Sequence, residues 1–454
     1  MPTQSESPAA VRGTSSKTLQ LLCKRLRQLL HIMLASMICL AVAATALGIW
    51  WLTSLNGLPD IGDPFDVAAF RTFSLPDDQN AFTFFRRSWK AVGPDPAIDW
   101  SETNPEFRAF VEAKRPAVEL FIKGAEQVDG ISGPVGEPLP GENDSDLDSA
   151  YPLRASTFGL FGIMLMEGRL REERGDMAGA WDCYRAVLRM TVHVRRRERL
   201  KDRARVTLWL PELQKHLATW AADTRTTIPQ VRRALEEVVE CRPMPEWDAF
   251  TLKIEYLDLM RFLDRRVRRV VPPREQIEEE WTYRLGDMQL PVDLALDLYQ
   301  VKRGLAREPE RSRRVIRLLF ANWLAHVEHP GQRKPAARAR FHIAKQTSGV
   351  LLYHVSPDAP AGARALSPQE VASWLVTTND AKLAFRYGFL TWPNVRRREQ
   401  RGFRELLVLL AGEIYRRERG ALPPSDEALV GTYLKSLPDD GSADLADAMT
   451  PTVE

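Results

Sequence analysis

The chain has 454 residues, which allows two or three domains at about 150 residues each. Hydrophobic residues make up 44% and charged residues 27%, which excludes a largely disordered chain; four cysteines exclude a disulfide-built scaffold. The net charge of +3 is local: residues 1–30 hold five Lys/Arg and one acid, and the remainder balances 58 basic against 59 acidic residues, so no field favours nucleic acid.

Residues 1–31 read as a basic cytoplasmic tail. No Lys, Arg, Asp or Glu occurs between Gln28 and Pro59, and the apolar run 32–55, Ile32 to Leu55, predicts a transmembrane helix. As helix it measures roughly 36 Å, enough for a hydrocarbon core of about 30 Å. Trp50 and Trp51 mark its far interface, and Lys17, Lys24, Arg25 and Arg27 predict a cytoplasmic N-terminus with the bulk of the chain outside. A cleaved signal peptide is the rival reading; the run is too long for its apolar region, which favours an uncleaved anchor.

Residues 56–75, with Gly57, Pro59, Gly62 and Pro64, read as a flexible juxtamembrane linker. A helical part follows over 76–150, with Asp77 or Asp78 as the first cap, one face carrying Phe82, Phe85 and Trp89, a second helix over 104–128, and an acidic Gly/Pro-rich loop over 130–149. The main helical domain spans 151–437. Apolar residues recur there at helical spacing in Phe158, Phe161 and Leu165; Trp181, Tyr184 and Leu188; Leu213, Leu217 and Trp220; Trp247, Phe250, Ile254 and Leu257; and Phe403, Leu407, Leu410 and Ile414. Ser367-Pro368-Gln369-Glu370 is a helix-start signal. Alternating strands are not evident, the run Val350–Tyr353 is too short to decide, and 438–454 reads as a disordered tail. The expected fold class is all-α: a transmembrane helix followed by an irregular multi-helix, helical-hairpin or solenoid-like exported domain.

Three stretches carry resemblances. Glu167 to Met190, EGRLREERGDMAGAWDCYRAVLRM, resembles one tetratricopeptide-type hairpin through Gly175-Asp176, Ala180, Tyr184, Ala186 and Leu188. No second copy follows at the 34-residue period. The resemblance implies a protein-binding surface, with Gly175, Asp176 and Tyr184 as candidate contacts. Tyr415 to Asp439 resembles the segment after the long helix in envelope-anchored bacterial proteins, pseudopilin-like ones included; Gly420 is placed to stop one helix and Ser425 to cap the next. With the anchor and the stretch Leu75-Pro76-Asp77-Asp78-Gln79-Asn80-Ala81, the chain resembles the single-pass helical proteins of planctomycete-type bacteria. That resemblance implies architecture and no activity.

Chemical motifs are sparse. A phosphate-binding loop, a dinucleotide glycine fingerprint, a G-x-S-x-G elbow and an H-E-x-x-H pair are all missing, which removes the well-marked enzyme classes. His326, His329, His342 and His354 form the one histidine cluster; without a four-ligand pattern they read as structural, and no metal or cofactor is expected. Cys183 and Cys241 read as two buried thiols rather than a bridge. The Arg-rich runs 195–205, 261–274 and 396–404 are interleaved with Glu198, Asp202, Asp264, Glu399 and Glu405, and read as solvated helix faces. No catalytic residue is nominated. The expected function is a membrane-anchored scaffold or interaction module on the outer face of the cytoplasmic membrane, with a protein partner and no nucleic acid; the alternative is an envelope hydrolase with an unmarked site.

Overall fold

A computed structural model describes residues 14–53, 55, 58–93, 103–133, 152–243, 246–268, 307–328, 335–343, 346–353, 366–377 and 392–437. The chain divides into two units, Met1–Pro59 with Val270–Arg311, and Asp60–Arg269 with Ser312–Glu454.

In the first unit, α1 runs 40 residues from Thr14 to Thr53. Its segment Lys24–Ala46 has a mean hydropathy of 2.2 and is wholly exposed. Among the described residues it is the one helix long and apolar enough to cross a membrane.

The second unit is mostly helical. Its first element, α2, is the single turn Val67–Arg71. α3 (Ala81–Val92) is capped by Asn80 and not by Asp77 or Asp78. The Asn80 amide does more than cap: its oxygen accepts from Phe82 N–H and Ile131 N–H, and its nitrogen donates to the Ile131 carbonyl, so the helix start is tied to the strand-like stretch after α5. Asp77 instead accepts from the Thr83 hydroxyl. The helix expected over 104–128 is two, α4 (Pro105–Ala113) and α5 (Arg115–Ala125). Pro116 has no N–H to donate and its ring crowds the carbonyl four residues back, so the helix breaks at Lys114. α3 and α5 pack through Phe85 and Phe121, whose ring centroids are 4.9 Å apart. Most of the expected acidic loop, from 134 onward, lies outside the described residues.

α6 (Pro152–Glu173) and α7 (Met177–Arg197) form the expected hairpin. Fifteen of the 21 residues of α7 are buried, because it packs against α5, α6, α8 (Leu200–Thr207), α9 (Leu210–Ala222), α10 (Ile228–Glu240) and α11 (Glu246–Arg268). α12 (Glu308–Glu328) follows, then a hairpin of β1 (Pro335–Ile343) and β2 (Gln346–Tyr353), and α13 (Pro368–Thr377) packs on β1. This hairpin is the one pair of strands among the described residues, and the unit around it is helical, as the all-α expectation has it. Ala339 faces Val350 and Phe341 faces Ser348 in its register, so β2 contains the run left undecided by sequence. Ser367 and Glu370 cap α13 reciprocally, at 3.1 and 3.2 Å, as expected.

The closing helix, α14 (Trp392–Arg419), packs on α8, α9 and α10 and buries Phe403, Leu407, Leu410 and Ile414. Gly420 ends it at φ +73°, as its place in the sequence predicts. Ser425 precedes a 3-10 turn, Asp426–Leu429, rather than an α-helix.

The Arg-rich runs need correction. Arg195, Arg203 and Glu399 are fully buried, not solvated. Arg203 donates to Asp248 at 2.8 Å and to both oxygens of Glu399 at 3.2 and 2.8 Å, joining α8, α11 and α14. Burial opposes its charge, but Glu399 and Asp248 outweigh burial and raise its pKa. Arg195 lies over the Phe403 ring at 4.1 Å and donates to Thr191. Planar guanidinium groups tolerate this because they stack and hydrogen-bond at once.

Candidate functional site: a strap on an aromatic groove

The hairpin singled out by sequence is mainly structural. Gly175 takes φ +84° in the turn, and Asp176 Oδ1 accepts from Gly179 N–H at 2.9 Å to start α7. Tyr184 is fully buried, so its ring cannot meet a partner; this corrects its candidacy as a contact. The ring fills the space left by Gly168, where an added Cβ would lie 2.5 Å from it, and its hydroxyl donates to Glu172 at 2.7 Å. Burial and the Glu172 charge push that phenol pKa up. Glu167 is also buried and pairs with Arg171 at 2.8 Å. What the hairpin offers to solvent is its turn, Glu173 to Asp176, and even that is tied to α4 by Arg108–Glu173 and Arg174–Glu112.

Cys183 and Cys241 are free, buried thiols, pushed up to about 12 and about 11 by burial. Of the histidine cluster, His326 is buried near the end of α12 and His342 lies on β1, while His329 and His354 fall outside the described residues. Among the described residues no group of three His, Cys, Asp or Glu is arranged to hold a metal.

The arrangement that sequence reading missed lies in the expected linker. From Asp60 to Phe73, within the expected linker, the chain is a strap seated on α7, α11 and α12. At one end Asp60 accepts from Arg317 at 3.0 Å and lies 3.9 Å from Arg314. The Gly62 N–H and these two guanidinium groups hold the Asp60 carboxyl below its ordinary value against the effect of burial. Asp63 accepts from the Tyr256 hydroxyl and lies 3.5 Å from Arg317. Burial, with the Asp63 carboxylate, raises the Tyr256 pKa, which keeps it a donor.

Three phenylalanines follow. Phe65 meets Tyr256 edge-on at 5.5 Å, Phe70 lies 4.8 Å from Phe250, and Phe73 lies 5.8 Å from the same ring. Cations cover them: Arg197 is 4.1 Å from the centre of Phe73 and Lys253 is 5.6 Å from that of Phe65. Such contacts combine ring quadrupole attraction with buried area. Asp66 caps the single turn α2 through Ala69 N–H at 2.9 Å, and that turn brings Phe70 back toward Phe65, 5.3 Å away. The spacing Phe65, Phe70, Phe73 with Asp60 and Asp63 was the available sequence signal; the surrounding Gly and Pro residues masked it.

No protein-family model matches this chain, and no curated protein or solved structure does either.

Proposed function

We propose that this chain is a membrane-anchored helical interaction module, with its basic tail in the cytoplasm and the domain beyond the anchor on the outer face of the cytoplasmic membrane. The exposed apolar segment Lys24–Ala46 supports the anchor, and the basic residues before it support the orientation. The observation that carries the binding part is the strap. Segment 60–73 reads as a peptide ligand already bound: two carboxylates on arginines, then three aromatic rings laid on Phe250 and Tyr256. A surface that holds one acidic, aromatic segment has the chemistry to hold another. Anchoring adds effective concentration, so modest affinity suffices in the plane of the membrane.

Two measurements test this. A reporter that works only outside the cytoplasm, fused after Glu454, is expected to be active; activity only of a cytoplasmic reporter reverses the orientation. Crosslinking in native envelopes is expected to recover defined protein partners. Turnover of a cell-wall or peptide substrate, abolished by one carboxylate or histidine substitution with folding intact, would replace binding by catalysis.

A further inference from the structure

We propose that the surface beneath the strap is a docking groove for a partner protein's segment carrying an acidic pair followed by phenylalanines, and that the strap is its resident competitor. This rests on the interaction-module reading and names the site and the chemistry of the partner. Three observations carry it. First, the present occupant has that chemistry: Asp60 and Asp63 meet Arg314 and Arg317, and the rings meet Phe250 and Tyr256.

Second, the strap is lightly held. None of the residues 60–79 is fully buried, and the five-residue turn α2 buries nothing. Asp60 and Asp63 remain 45% and 43% exposed, so their ion pairs are screened by solvent and salt. Segments with few buried contacts open locally before the fold does.

Third, the groove offers more than the strap uses. Arg317 Nε is buried without an acceptor, although its Nη1 reaches Asp60. A partner carboxylate set slightly deeper would supply that acceptor. A second copy brings only the same strap, at a lower effective concentration than the one attached in cis, so it does not displace the resident. A segment of better complementarity does.

A resident competitor lowers the apparent affinity for a partner by the fraction of time the groove is free. The probe is a fluorescent synthetic peptide with the sequence PDIGDPFDVAAFRTFS, residues 59–74, added to the full chain in detergent micelles and followed by anisotropy. The variant Asp63→Lys/Phe70→Ser loosens the resident strap, and faster tryptic cleavage after Arg71 confirms the release; where cleavage is unchanged, Phe65→Ser and Phe73→Ser are added. The released variant is expected to bind the peptide about tenfold more tightly than the unmodified chain. Adding Arg317→Glu, or separately Arg197→Ser, is expected to reverse that gain with helical circular dichroism retained. Equal, weak binding by the released variant and the unmodified chain overturns the proposal. Strap-to-groove crosslinks joining two copies also overturn it, and assign the groove to strap exchange. Envelope crosslinks to a partner that persist in the Arg317→Glu chain would leave the module reading standing and sink the groove alone.

Discussion

Arg203 and Glu399, 196 residues apart in sequence, form a two-point guanidinium–carboxylate pair with both side chains out of solvent. Arg203 reaches Asp248 as well, so one cation holds three helices together. Removing one partner leaves the other charge buried. Glu399→Gln is expected to cost about 3–5 kcal/mol, read as a lower urea midpoint. Replacing Arg203, Asp248 and Glu399 together by apolar residues of similar volume is expected to cost much less. A Glu399→Gln chain as stable as the original would show that the pair contributes little.

The contact between Gly168 and Tyr184 tests the packing of the hairpin. Gly168→Ala places a methyl 2.5 Å from the ring, with no flexible chain end to move aside. The expected cost is about 1–3 kcal/mol, as for overpacking elsewhere. Tyr184→Phe keeps the shape and strips Glu172 of one donor; about 1–2 kcal/mol is expected, measured by thermal or urea unfolding.

Stability is expected to fall as pH rises from 6.5 to 8. Burial and the neighbouring Asp202 charge lift the Glu198 carboxyl from 4.5 to about 8, although it accepts from Ser132 N–H at 2.8 Å. Burial and Asp258 lift Glu255 from 4.5 to about 7. Both folded values exceed the unfolded ones, so this stability is complete below 4.5 and drains away as pH rises through 7 and 8. Glu198→Gln is expected to flatten the decline in unfolding midpoint. His193 acts in the other direction: burial lowers it from 6.5 to about 4, so its contribution is complete above 6.5 and is lost as pH falls through 4. A chain whose stability rises between 6.5 and 8 would contradict the assignment.

Cys183 and Cys241 are expected to resist iodoacetamide at pH 8 in the folded chain and to react fully in urea. Their thiols titrate at about 12 and about 11, so little thiolate exists, and both are buried. Non-reducing mass spectrometry is expected to find no bridge between them.

The helices were legible because their apolar residues repeat every three or four positions: Leu213, Leu217 and Trp220, or Phe403, Leu407, Leu410 and Ile414, are all buried. Local signals also held where one or two residues decide the geometry, as at Ser367/Glu370 and Gly420. Long-range pairing was not legible. Nothing near Arg203 in sequence marks Glu399 as its partner, so a buried clasp resembles an exposed charged face. The β-hairpin was hidden because β1 alternates small Ala337 and Ala339 with Arg338 and Arg340, a weak apolar contrast. The solenoid-like arrangement is not established; α7 touches six helices, more than nearest-neighbour stacking provides. The candidate site was missed because Gly62 and Pro64 signal a turn whether or not the turn is docked.

The late position of α14 sets an order of completion. It walls α8, α9 and α10 and brings Glu399 to Arg203, yet it is synthesised after all of them. During synthesis the earlier helices carry an open apolar flank, and Arg203 has Asp248 but still awaits its second carboxylate. A chain stopped before residue 392 lacks that wall altogether, so premature truncation turns the buried faces of α9 and α10 into sticky surface. Quality control of this protein is thus expected to hinge on α14, far in sequence from α1.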